Sequence, residues 1–206
     1  MINEDVALLY GLLLGDGCLS KVGKHSFVSI VGNFYSDEPS MIKIAGLIEK
    51  IRNKPTAYYK REKHGKLEIC ISDKELFNFI KNLGFPVGKK GTHLIIPITL
   101  KNDIKNVIKG YFATDGCFLI INNNGIKYPR LEFSSISKPL LEQLKGELEI
   151  LGIHGNVYLS KIYKNNWNAL YRLQINGRKN LFKFKEIVGF FNPKHEIRFN
   201  RFIEQI

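Results

Sequence analysis

The stretch Leu9-Tyr10-Gly11-Leu12-Leu13-Leu14-Gly15-Asp16-Gly17 returns 99 residues later as Ile108-Lys109-Gly110-Tyr111-Phe112-Ala113-Thr114-Asp115-Gly116. Each copy reads as the end of an apolar helix that closes on an acid and a glycine. Gly11 and Gly15 lie four apart, so they share one helix face with nothing projecting from it. In the second copy Gly110, Ala113 and Thr114 hold the matching places. Glycine inside a helix costs up to about 1 kcal/mol against alanine, so such notches imply that another backbone comes near. Small residues facing small residues allow that approach. Gly11, Gly15, Gly110, Ala113 and Thr114 are therefore expected where the two helices meet, at a seam between two halves.

The acids stand at the wrong end of their helices. A helix C-terminus is the negative pole of the dipole, and a carboxylate there is unfavourable by about 0.3–1 kcal/mol. The following glycines, Gly17 and Gly116, are expected in the left-handed capping conformation. With the helices side by side, Asp16 and Asp115 are expected to emerge a few ångströms apart. Two such charges at about 6 Å repel by roughly 3 kcal/mol at an effective dielectric of 20. A divalent cation reverses that penalty, and hard oxygen ligands point to Mg²⁺.

Working outward, the rest of the chain repeats as well. Leu76-Phe77-Asn78-Phe79 followed by Gly84-Phe85 returns as Leu181-Phe182-Lys183-Phe184 followed by Gly189-Phe190, and Pro39 and Pro139 each open a helix-like run. The expected domains are residues 1–100 and 101–206, joined through the Gly- and Pro-bearing segment Pro86–Lys101. Each half reads as αββαββα, giving an α+β fold of two pseudo-symmetric halves. In the first half, helices are expected at Glu4–Gly15, Ser40–Ile51 and from Asp73 to Gly84. Its strands are expected at Cys18–Val22, Phe27–Val31, Ala57–Arg61 and Leu67–Ile71. A last helix is expected near Lys194–Ile206.

The strands alternate. Leu131 and Phe133 oppose Arg130, Glu132 and Ser134; Leu173 and Ile175 oppose Arg172 and Gln174; Leu67 and Ile69 oppose Glu68. Period two with one wet face implies antiparallel sheets covered by helices on one side only. The wet face makes Arg61, Glu68, Arg130, Glu132, Ser134, Arg172 and Gln174 the candidate contacts for a partner. Val28–Tyr35 alternates poorly, so no contact is assigned there.

Composition names the partner class. The 206 residues carry 31 Lys and Arg against 19 Asp and Glu, a net charge of +12. That favours a polyanion. Val6–Gly15 is too short an uncharged run to span a bilayer. The acidic first residues argue against a secretion signal. Three scattered cysteines suggest a reducing, intracellular compartment, either cytoplasm or organelle matrix. A phosphate loop fails at Gly17–Lys24, where His25 stands in place of Ser or Thr. No nucleophile elbow or zinc-ligand pair is present.

The two quoted motifs, with the αββαββα order around them, resemble the LAGLIDADG homing endonucleases of the single-chain, two-motif type. The resemblance covers essentially the whole chain. It implies saddle-shaped sheets lying in the major groove of double-stranded DNA, and a monomer with pseudo-two-fold symmetry. It also implies metal-dependent phosphodiester hydrolysis that makes a staggered double-strand break in a long asymmetric target. The metal would be held by Asp16 and Asp115, with Gly15 and Thr114 beside them. Mg²⁺ is the implied ion, with Mn²⁺ substituting and Ca²⁺ binding without supporting cleavage. The family places a basic residue beside each acid: here Lys89, with Lys90 its close rival, and Lys194 in Asn192-Pro193-Lys194-His195. A second class stays open to the sequence: a cofactor for splicing of intron RNA (a maturase), or a non-cleaving DNA-binding protein on the same fold.

Overall fold

The computed structural model describes residues 2–162 and 168–205. These form seven α-helices and two four-stranded antiparallel sheets. The chain divides into two compact units. One comprises Met1–Lys90, Pro97–Thr114 and Phe191–Lys194; the other comprises Gly91–Ile96, Asp115–Phe190 and His195–Ile206. The units and the sequence repeat follow different borders, because the helix that opens the second repeat packs into the first unit.

Helix α1 spans Glu4–Asp16. Asn3 caps it by accepting the Val6 N–H at 3.0 Å, and Glu4 and Asp5 sit at its positive pole. It is a core helix: nearly every residue from Val6 to Gly15 is buried. The expected left-handed cap is absent. Gly17 has φ −91° and ψ 161° and opens strand β1 directly. Glycine is required there for space: a Cβ would lie 2.4 Å from the Leu13 Cα.

The first sheet is built from β1 (Gly17–Val22), β2 (His25–Asn33), β3 (Tyr59–Arg61) and β4 (Lys66–Ser72), in the order β1-β2-β4-β3. Leu19, Val28, Ile30, Leu67 and Ile69 face the core, where α2 (Glu38–Arg52) and α3 (Lys74–Asn82) cover them. The outer face carries the cross-strand row Cys18–Ser29–Cys70. β3 is shorter than expected: Ala57 and Tyr58 stay outside the ladder, and the Tyr58 hydroxyl donates to Glu38 at 2.6 Å.

The second repeat runs α4 (Ile104–Asp115), β5 (Gly116–Asn123), β6 (Ile126–Ser135), α5 (Lys138–Ile150), β7 (Asn156–Lys161), β8 (Leu170–Asn176) and α6 (Arg178–Ile187). Its sheet has the matching order β5-β6-β8-β7. Phe118, Leu131, Phe133, Leu144, Leu173 and Phe184 fill the second core. Helix α7 covers Pro193–Ile203; Ile206, which closes the expected helix, lies outside the described residues. All three cysteines are free. Among the described residues no helix is long and apolar enough to cross a membrane.

One buried ion pair ties α2 to α3. Asp73 caps α3 by accepting the Leu76 N–H at 2.9 Å and takes Arg52 Nε at 2.8 Å, with side chains only 8% and 11% exposed. Burial alone would raise the Asp73 carboxyl, but the Leu76 N–H and the Arg52 guanidinium outweigh it and hold the acid below its ordinary range. A depressed acid contributes stability that is present above the unfolded-state value, about 3.9, and lost as pH falls through the folded one. Replacing Asp73 by Asn should therefore cost about 3 kcal/mol at pH 7. Thermal melts of the two proteins should converge on acidification below about pH 4; a constant gap across that range would contradict the assignment.

Candidate active site and nucleic-acid face

Helices α1 and α4 touch through their backbones. A Cβ on Gly11 would lie 2.1 Å from the Val107 carbonyl oxygen, and one on Gly110 would lie 2.3 Å from that of Leu8. The notches thus face each other. Thr114, the larger residue in the second motif, turns its hydroxyl back into its own helix and donates to the Tyr111 carbonyl at 3.1 Å, so the added hydroxyl is paired within α4.

The carbonyls at the ends of both helices find donors in the segments that follow Gly84-Phe85 and Gly189-Phe190. The Lys90 ammonium lies on the Leu13, Leu14 and Gly15 carbonyls of α1, at 3.3 and 2.9 Å for the first two and closest to Gly15. The buried Asn192 amide donates to the Ala113 carbonyl of α4 at 2.9 Å. A cation at the negative end of α1 is what the dipole favours.

Asp16 closes α1 beside this ammonium. The residue is exposed, yet protein packed around its base pushes the carboxyl up; Lys90 and Lys194 oppose the rise and Asp37 adds to it. Asp16 shares a hollow of about 10 Å³, room for one water or ion, with Asp37, Thr114 and Asn192. Asp37 anchors the group. It accepts the Asn33 N–H at 2.9 Å, the Ser36 hydroxyl at 3.3 Å and Lys194 Nζ at 3.1 Å. Burial would raise the Asp37 acid, but these donors prevail and hold it below the ordinary range. Asp37, just before α2, is not among the sequence candidates, and Asn192 enters the sequence argument only as a neighbour of Lys194.

The other candidates distribute as follows. Lys194 stands in the group around Asp16. Lys89 is exposed, and its neighbour Lys90 is the lysine on the α1 carbonyls. Asp115 closes α4 at the start of the second unit. On the outer face of the first sheet, Arg61 Nε meets Glu68 at 3.1 Å and its guanidinium lies 5.6 Å over the Tyr59 ring. On the outer face of the second sheet, Arg130, Arg172 and Gln174 all converge on Glu132. Ser134 lies one step along β6 and pairs across to Arg172.

Comparison with known proteins agrees with this architecture. Residues 102–189 match the family model described as a LAGLIDADG-like domain. The chain is 30% identical over 211 residues to a probable translation initiation factor IF-2 of Methanocaldococcus jannaschii, covering 99% of this chain and 17% of that protein. It is 29% identical over 191 residues to the replication factor C small subunit of the same organism, covering 91% of this chain and 10% of that one. The chain thus spans less than a fifth of the length of either relative. The crystal structure of I-DmoI in complex with DNA and Mn superposes with a TM-score of 0.62 at 20% identity, covering 90% of this chain and 96% of that one. The homing endonuclease I-LtrWI bound to target DNA gives 0.60 at 13% identity, covering 95% and 88%. At such identities the likeness is one of fold. Two notched helices ending in acids, each leading into a four-stranded antiparallel sheet, define the class as a two-motif α+β protein. Residues 102–189 carry a LAGLIDADG-like domain, and the chain as a whole shares its fold with single-chain LAGLIDADG homing endonuclease structures.

Proposed function

We propose that the chain is a site-specific DNA endonuclease that makes a staggered double-strand break by metal-dependent phosphodiester hydrolysis. The observation that carries this reading is the Asp16 carboxylate at the negative end of α1, with the Lys90 and Lys194 ammonium groups and Asp37 around it. The matched segment fills a small part of relatives whose names are unrelated to one another. We read its activity as its own and not that of either protein.

The residues fit a hard divalent cation. Lys90 already shows that the α1 terminus attracts positive charge, and carboxylate and carbonyl oxygens are the donors such ions take. Asp16 and Asp115, with the Gly15 and Thr114 carbonyls, would hold Mg²⁺ or Mn²⁺; Ca²⁺ would bind without supporting cleavage. When bound, such an ion lowers the pKa of a water and offsets charge on the departing 3′ oxygen. Lys194, fixed by Asp37, places positive charge toward the phosphate as its negative charge builds. Lys90 does so for the end of α1, and exposed Lys89 adds attraction for the DNA backbone. The outer sheet faces read bases, with Arg61, Arg130 and Arg172 suited to guanine and Gln174 to adenine. The two halves differ in sequence, so the target is asymmetric. We read the protein as a monomer in a reducing compartment.

The test is a plasmid pool carrying randomised inserts, incubated with the chain in Mg²⁺, Mn²⁺, Ca²⁺ or chelator. Linear products should appear only with Mg²⁺ or Mn²⁺, share one enriched insert sequence, and carry staggered ends. Binding should weaken steeply with salt through counterion release. Cleavage in chelator, or indiscriminate degradation, would overturn the reading. An enriched sequence that is bound and never cut would make the chain a non-cleaving DNA-binding protein.

A further inference from the structure

The outer face of the second sheet holds an unusual anion. Glu132 sits mid-strand on β6, on the polar side, yet its side chain is only 5% exposed. Three donors close over it. Arg172 Nη1 reaches Oε2 at 3.2 Å, Gln174 Nε2 reaches Oε1 at 2.7 Å, and Arg130 Nη1 approaches Oε1 at 3.5 Å. The partners are themselves tied. Arg130 Nε donates to Asn176 Oδ1 at 2.7 Å, and Gln174 also bonds the Tyr158 hydroxyl. The pairing register explains the convergence: Glu132 faces Gln174 across the ladder, with Arg130 opposite Asn176 and Arg172 opposite Ser134 on either side.

We propose that Glu132 is a positioning residue. It fixes the Arg130, Arg172 and Gln174 donors in one geometry, so that this face discriminates bases instead of merely attracting phosphate. The inference rests on the DNA-reading function above and assigns Glu132 a role other than direct base contact: its oxygens are already engaged and almost out of solvent. A free arginine binds phosphate from any direction, because its charge is satisfied by any anion. Reading a guanine edge needs the planar fork held in register, and a fork anchored beforehand loses less freedom on binding. Arg130 is held at both Nε and Nη1, and it lines a hollow of about 280 Å³ with Ile121, Tyr128 and Asn176. Arg172 Nε is buried and meets no acceptor among the described residues, so the cluster is not closed on itself as a device for stability alone would be.

The experiment is selection from a randomised double-stranded DNA pool at fixed salt, with binding to an unrelated duplex measured in parallel. Wild-type protein should enrich one sequence. Glu132→Gln should bind the unrelated duplex as tightly or more tightly, since a negative charge is gone. Its preference should fall roughly tenfold at the base positions read by this sheet, and at no others. Combined with Arg130→Gln, it should cost no further discrimination at the position Arg130 reads, because a positioning residue acts only through its partner. Unchanged preferences in a folded Glu132→Gln protein would overturn the proposal, as would an additive double variant. Should Glu132→Gln fail to fold, Glu132→Asp takes its place with the same two outcomes, because the shortened acid draws back from its donors. A wild-type protein that enriches nothing would instead overturn the DNA-reading function itself, and the role of Glu132 with it.

Discussion

Alanine at Gly11 should lower the melting temperature of the protein by about 6–12 °C, the shift that roughly 3 kcal/mol produces in a chain of this size. In an open helix the same change stabilises, because alanine is the better helix former by up to about 1 kcal/mol. The sign here is set by the neighbour. The new Cβ would stand 2.1 Å from the Val107 carbonyl oxygen and 2.9 Å from the Tyr111 nitrogen. These are backbone atoms of α4 and cannot swing aside as a side chain does, so the two helices must separate. Separation also opens gaps around Leu9, Leu12, Val107 and Ile108, all buried. Overpacking usually costs about 1–3 kcal/mol, and a rigid backbone obstacle belongs at the top of that range. Gly110→Ala should behave alike, facing Leu8 O at 2.3 Å. Gly46, exposed in α2 with nothing within 4 Å, is the internal control: Gly46→Ala should raise the melting temperature by a few degrees. If Gly11→Ala and Gly46→Ala shift it in the same direction, the helices do not meet as described.

The legible part of the molecule is the part written in periodicity. Two glycine-notched apolar helices, Asp73 as a cap, and strands such as Arg130–Ser134 follow from spacing alone, because burial on one face imposes the period. β2 is less plain, since Phe27 and Val31 sit on its outer face and blur the alternation that Ser26, Val28 and Ile30 keep inside. Gly17 was legible as a required glycine, but the reason lay in Leu13, a helical turn away. The residues around Asp16 were the least legible. Asp37 has a complete local explanation as the acid that precedes α2, so nothing in the chain marks it as the partner of Lys194, 157 residues on. Lys89 and Lys90 are one place apart in a loop whose path is set by the left-handed Gly88 and Gly91, and no pattern tells which ammonium turns to the helix end. Glu132 shows the same limit in another form. Facing is encoded by period two, whereas reach depends on which side chains lie across the ladder.

Replacing Asp16 by Asn should reduce double-strand cleavage roughly a thousandfold, since it withdraws several kcal/mol of charge stabilisation from the transition state. Asn is nearly isosteric, so the hollow with Asp37 and Thr114 keeps its shape and the effect is one of charge. Binding to the uncut target should hold or tighten, because on the proposed function the change removes a negative charge from the surface that meets phosphates. The same substitution should leave the fold more stable. Protein packed around Asp16 disfavours its charged form, Asp37 adds to that cost, and the helix end contributes about 0.3–1 kcal/mol more; Lys90 and Lys194 offset only part of it. A melting temperature raised by about 1–4 °C alongside lost cleavage is thus the signature. Asp115→Asn should lose cleavage of the same order if it serves the same chemistry. The two outcomes together separate an acid kept for function from one kept for structure: a structural acid would lose stability first and cleavage only in consequence. Full cleavage by Asp16→Asn would end the assignment, and lost cleavage with a lowered melting temperature would return Asp16 to a structural role.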